Sequence, residues 1–259
     1  MLEFPYSVAG FAVGAIVGLT GVGGGSLMTP LLVLGFGVPP VAAVGTDLLY
    51  AGLTKVGGAL SHGFKGHVDW RIAGRLAAGS VPATMLALAL LAVLPPASST
   101  TRLIVSTTLG AMLVLTALAI VLRARLVAWA QSRPRGGWLD NHRGAAAVAT
   151  GAFIGFAVTL SSVGAGAVGV TALVLLFPAL ATVRVVGTDI AHAVPITLVA
   201  GLGHAFMGNV DGWLLASLLA GSLPGIFLGS HLAARVPERF LRSSLAGVLF
   251  LAGTRLVIH

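Results

Sequence analysis

Six of the polar side chains in one apolar stretch of this chain, Val41–Phe64, belong together: Asp47, Tyr50, Thr54, Lys55, Ser61 and His62. At 100° per residue they share an arc of about 140° on one helix face. A second stretch, Val183–Phe206, carries Asp189, His192, Thr197 and His204 on the corresponding face. Polar groups inside apolar spans are costly, so such faces mark either a polar pathway or anion site, or a packing interface in which Asp47 and Lys55 neutralise one another. Lys55 lies about 12 Å along the helix from Asp47, at 1.5 Å per residue. Its counterpart is the uncharged Thr197, which argues against a purely symmetric structural role. Asp47 and Asp189 follow Gly45-Thr46 and Gly187-Thr188, where a carboxylate can also tie a helix start through backbone donors. His62 and His204 have the chemistry of proton carriers, and equally that of satisfied packing histidines.

Glycine clusters offer a second kind of chemistry. A short helix beginning after Gly25 presents free backbone N–H groups and the positive end of its dipole, and Ser26 adds a hydroxyl. Gly23, Gly24 and Gly25 permit close backbone approach to an anion. Gly164 and Gly166, with Ser161 and Ser162 just before them, can do the same in the second half of the chain. The competing reading is tight helix packing through small residues. No Gly-Lys-Ser/Thr follows either cluster, which excludes a nucleotide-binding P-loop.

These groups must be held by elements that composition restricts sharply. Of 259 residues, 57% are hydrophobic and 8% charged, with mean hydropathy +1.01. Soluble domains carry about 25% charged residues. Apolar runs of about 20 residues recur throughout, the length of a bilayer-crossing helix. The fold class is an all-α polytopic membrane protein. Without cysteine there is no disulfide, thiolate metal site or redox pair. A net charge of +8 resides in short connections between apolar runs, the positive-inside pattern, so nucleic acid is not expected as a partner. No cofactor, metal or enzymatic motif is expected. The N-terminus lacks the basic stretch and cleavage site of a signal peptide, so the first apolar segment is expected to persist.

The chain is also doubled. At an offset of 142, 16 of the 39 positions between Val44 and Pro82 are identical to Val186–Pro224, without a gap. The matches include Val44-Gly45-Thr46-Asp47 with Val186-Gly187-Thr188-Asp189, and Gly79-Ser80-Val81-Pro82 with Gly221-Ser222-Leu223-Pro224. Chance identity among Leu, Ala and Gly does not place Asp, His, Thr and Pro in fixed register. Each half reads as a glycine-broken hairpin of two short helices followed by three spans, over residues 1–122 and 144–259, joined by a basic linker at 123–143. The linker and the loops Lys65–Arg71 and Arg235–Arg242 are basic and are expected in the cytoplasm. With each hairpin returning to its own side, the halves insert in opposite senses and both termini lie outside. Such inverted repeats are a transporter architecture.

Gly18-Leu19-Thr20-Gly21-Val22-Gly23-Gly24-Gly25-Ser26 leading to Pro30, Ala43-Val44-Gly45-Thr46-Asp47 and Gly79-Ser80-Val81-Pro82, each echoed in the other half, resemble the sulfite exporter TauE/SafE family. The resemblance covers nearly the whole chain outside the linker. It implies export of sulfite, sulfonates or related small anions across the cell membrane. The second glycine cluster, Val163-Gly164-Ala165-Gly166, departs from the first, so the halves need not bind alike. The expected substrate site comprises Gly23, Gly24, Gly25, Ser26, Lys55, Ser161, Ser162, Gly164 and Gly166. Thr46, Asp47, His62, Thr188, Asp189, His192 and His204 form the expected polar pathway. The expected partners are a small anion and the lipid bilayer.

Overall fold

Apolar helix after apolar helix builds the chain. A computed structural model describes residues 3–20, 25–95, 98–132, 141–232 and 238–258. Gly23 and Gly24, residues 133–140 of the linker and residues 233–237 of the last basic loop lie outside them. The described residues form ten α-helices: α1 (Phe4–Thr20), α2 (Gly25–Pro30), α3 (Pro40–Phe64), α4 (Trp70–Ala92), α5 (Ser99–Ser132), α6 (Arg143–Ser161), α7 (Ala167–Leu176), α8 (Thr182–Phe206), α9 (Gly212–Leu232) and α10 (Glu238–Ile258). A π-helical turn, Leu31–Gly35, extends α2. Five helices, α4, α5, α6, α8 and α9, are long and apolar enough to cross a membrane. Large apolar side chains such as Leu86, Leu103, Val121, Phe227 and Leu251 point outward, as a lipid-facing surface requires.

Two boundaries differ from the sequence reading. Helix α5 continues through Arg123 and Arg125 to Ser132, because Leu122–Gln131 contains no Gly or Pro and is rich in Ala, Leu and Arg. Helices α3 and α8 begin at Pro40 and Thr182, the former with proline at its first turn. Asp47 and Asp189 therefore sit about two turns inside their helices and do not cap them.

Glycine sets how closely the helices meet. Gly10, Gly14 and Gly18 of α1 lie against the backbone of Leu218, Ser222 and Ile226 in α9, while Gly221, Gly225 and Gly229 of α9 return the contact to Ser7, Phe11 and Ala15. The same arrangement joins α4 and α6, where Gly151 and Gly155 meet Leu76 and Ser80, and Gly79 meets Val148. Both pairs run parallel. A side chain at these positions would strike a carbonyl of the neighbour, so the small-residue spacing is what permits the approach. Helix α3 instead runs antiparallel to α8, with Gly52 on Leu198 and Gly201 on Leu49. Helices α5 and α10 meet antiparallel at Gly110 and Gly253.

The duplicated motifs explain one another. Thr46 Oγ1 accepts from the backbone N–H of Asp211 at 3.1 Å, and Thr188 Oγ1 accepts from that of Asp69 at 2.9 Å. Gly45 packs on the carbonyl of Asn209 and Gly187 on that of His67. Each Val-Gly-Thr-Asp motif thus grips the loop that follows the equivalent helix of the other half. The two aspartates of those loops then serve α4 and α9: Asp69 accepts from Ile72 N–H and Asp211 from Leu214 N–H.

Candidate functional site

Helices α3 and α8 carry polar residues into the interior, where α2 and the break between α6 and α7 meet α3. Thr29 of α2 donates its hydroxyl to Asp47 Oδ2, both groups wholly buried. Among the described residues the other oxygen, Asp47 Oδ1, has no hydrogen-bond partner, and neither has Ser162 Oγ, which faces the same carboxyl from the break between α6 and α7. Lys55 extends from α3 across the halves to that break, its Nζ donating to the carbonyl of Ala165 at 2.9 Å. It stands within electrostatic range of both Asp189 and Asp47. Asp189 lies against Gly169, in the first turn of α7, where any side chain would collide with its Oδ1. Together these are one half-buried ammonium, two buried carboxyls, hydroxyls and one helix N-terminus.

The break itself is built by Ser161–Gly166. Ser162 adopts a left-handed backbone, φ 58°, and Gly164 has φ 119°. Ser161 Oγ donates to the carbonyl of Ala157 at 2.6 Å and receives Val163 N–H at 3.2 Å, fixing the end of α6. Ser161 is therefore part of the frame, whereas Ser162 offers an unpartnered hydroxyl. Gly166 caps α7 without a side-chain bond. In the first half, Gly25 opens α2 and Ser26 is buried. Gly23 and Gly24 fall outside the described residues.

The remaining pathway residues divide by position. Thr46 and Thr188 use their hydroxyls on the loops described above and face away from the centre. His192 of α8 pairs through Nε2 with Ser80 Oγ of α4 at 3.0 Å. Its counterpart at offset 142 is Tyr50, which faces Ser222, the counterpart of Ser80, although its hydroxyl makes no hydrogen bond among the described residues. His204 Nε2 pairs with the carbonyl of Thr159 at 3.0 Å, while its Nδ1 has no partner. His62 sits at the end of α3 beside His67, with ring centroids 5.7 Å apart. Sequence reasoning missed Thr29, Gly169, Ser80 and Ser222. The last two were visible in the duplicated Gly-Ser-x-Pro motif.

One consequence concerns the Ser80–His192 pair. Ser80→Ala leaves a buried ring nitrogen without its partner, and such orphaning costs about 1–3 kcal/mol. A fall in the thermal midpoint of the detergent-purified protein, absent from the exposed control Ser132→Ala, is the expected outcome.

The model of the family described as sulfite exporter TauE/SafE matches residues 6–256. The chain belongs to that family. It is 40% identical over 252 residues to the "Probable membrane transporter protein YjnA" of Bacillus subtilis (strain 168), covering 96% of this chain and 97% of the relative. A second Bacillus subtilis protein, "Probable membrane transporter protein YunE", is 44% identical over 70 residues, 27% of this chain and 26% of that one. No solved structure shows significant similarity. Like its TauE/SafE relatives, this is a multi-pass membrane transporter with a small-molecule substrate, and not an enzyme.

Proposed function

We propose that the protein is a secondary transporter that exports a small oxyanion, of the class of sulfite or an organosulfonate, and binds it between the two helix breaks. The observation carrying this reading is Lys55, a cation reaching from one half into the broken backbone of the other. Ser162 Oγ and the N-terminus of α7 stand beside it as further donors. Gly23, Gly24, Gly25 and Ser26 complete the site from the first half, and Gly164 and Gly166 give the anion close access to backbone. Outward movement of an anion is favoured by about 2.3 kcal/mol per charge per 100 mV when the interior is negative. Uptake into proteoliposomes tests the reading with a panel of sulfite, sulfate, sulfoacetate and taurine. Saturable uptake of at least one sulfur oxyanion supports it; no uptake of any rejects it.

Charge sets a condition on binding. Asp47 and Asp189 against Lys55 sum to −1 when all are ionised, so each proton taken up by the carboxyls makes the centre more favourable to an anion. Affinity then falls as pH rises, and Asp189→Asn, with one carboxylate fewer, flattens that fall. Half-saturation constants for sulfoacetate, measured from pH 5.5 to 8.5 in both proteins, check the sign. Parallel slopes would separate Asp189 from the site.

In the same proposal the halves insert in opposite senses, with residues 123–143 cytoplasmic and the N-terminus outside. Support comes from the basic loops and from the antiparallel course of equivalent helices, α3 with α8 and α5 with α10. The chain lacks cysteine, so single introduced cysteines report location directly. A thiol reagent confined outside is expected to label Glu3→Cys and to spare Lys65→Cys and Ser132→Cys. Labelling of Glu3→Cys from the cytoplasm alone would overturn the opposed insertion.

A further inference from the structure

Away from the centre, a cavity of about 540 Å³ opens between the start of α5, the end of α10 and the π turn at Leu34. Arg102 and Arg255 both line it, with the hydroxyl residues Ser99, Ser106 and Thr107. Among the described residues, none that lines it is acidic. Neither guanidinium has a hydrogen-bond or ion-pair partner among the described residues. The convergence follows from the fold, since α5 and α10 run antiparallel and bring the beginning of one beside the end of the other.

A single arginine at a span end is adequately explained by reaching for the membrane surface. Two that share one concavity with three hydroxyl residues call for a ligand. The guanidinium fork matches the oxygens of a tetrahedral oxyanion in pairs, more exactly than an ammonium does. The size lies within the usual range of small-molecule sites, roughly 300–1,000 Å³. Leu34, Leu103 and Val257 add apolar walls beside the charges, suited to an amphiphile.

We propose that this cavity is a second binding site, for a tetrahedral phosphate or sulfate group held between Arg102 and Arg255. An anionic phospholipid headgroup and a soluble oxyanion share that chemistry. The two sources are separated by experiment on the full chain. In one arm, native mass spectrometry measures phosphatidylglycerol retained by protein taken from mixed phosphatidylcholine–phosphatidylglycerol nanodiscs. In the other, thermal stabilisation by millimolar sulfate is read in phosphatidylcholine nanodiscs.

Retention of phosphatidylglycerol that falls at least tenfold in Arg102→Gln/Arg255→Gln assigns the lipid. Sulfate stabilisation lost in that variant, without lipid retention, assigns the soluble ion. Both side chains are exposed, so the double substitution leaves the packing intact. The variant Arg102→Lys/Arg255→Lys, which keeps the charge and removes the fork, is expected to fall between. Indistinguishable wild-type and Gln-variant behaviour in both arms overturns the proposal. No arm depends on transport, so this result stands apart from that of the central site.

Discussion

Replacement of Lys55 by Met is expected to lower affinity for the anion of the proposed site about 100-fold while leaving the protein folded in the membrane. Truncating one member of a buried, hydrogen-bonded charge contact costs 2–5 kcal/mol, and about 2.7 kcal/mol corresponds to 100-fold. Met keeps the length of the side chain and removes the charge. It also frees the carbonyl of Ala165, so a structural contribution must be separated from a binding one. Thermal midpoint and half-saturation constant do this together. A binding role moves the second far more than the first, and Lys55→Arg restores part of it. An unchanged half-saturation constant in a folded Lys55→Met protein makes Lys55 a strut between the halves.

The other large effect is purely steric. Gly155→Leu is expected to abolish accumulation of folded protein, at a cost above about 4 kcal/mol, the range of severe core lesions. A Cβ at Gly155 already strikes the backbone of Ser80, and backbone has no alternative rotamer to adopt. Relief would require α4 and α6 to separate, which breaks the adjacent contacts of Gly79 and Gly151 as well. Gly74 of α4 is the matched control. Nothing lies within 4 Å of a Cβ there, so Gly74→Ala is neutral or stabilising by up to about 1 kcal/mol. Membrane abundance and thermal midpoint of the two variants measure the contrast. Equal abundance of both would show that the helix crossings tolerate separation.

Much of this architecture was legible before any coordinates, and the reasons are specific. Apolar runs of span length force helices, because backbone polar groups in lipid must be satisfied within the segment. The duplication survived in Val-Gly-Thr-Asp and Gly-Ser-x-Pro because those residues touch the other half through backbone, where few alternatives fit. The polar face of α3 was visible through its period. Its partners were not. Thr29 stands in a six-residue helix too short for a periodic signal, and Gly169 looks like any other glycine until Asp189 is placed against it. Thr46 and Thr188 adjoin the aspartates in sequence, and that adjacency alone assigns them to the pathway. One residue is 100° around a helix, and that rotation takes both hydroxyls to the loops. The continuation of α5 past Arg123 was obscured by charge, which marks a change of solvent rather than the end of a helix.

Counterflow bears most directly on the central claim of a carrier with one oxyanion site alternately open to each side. Proteoliposomes preloaded with unlabelled sulfoacetate, with the membrane potential clamped at zero, are diluted into a trace of labelled sulfoacetate. The same experiment is repeated with sulfite. A carrier gives transient accumulation of label above equilibrium that saturates with external substrate and vanishes when the interior is unloaded. That result is expected for at least one of the two anions. Uptake that rises linearly with concentration and ignores the internal load is the behaviour of a channel. Seen with a permeant anion, it would contradict the carrier and the alternating site with it.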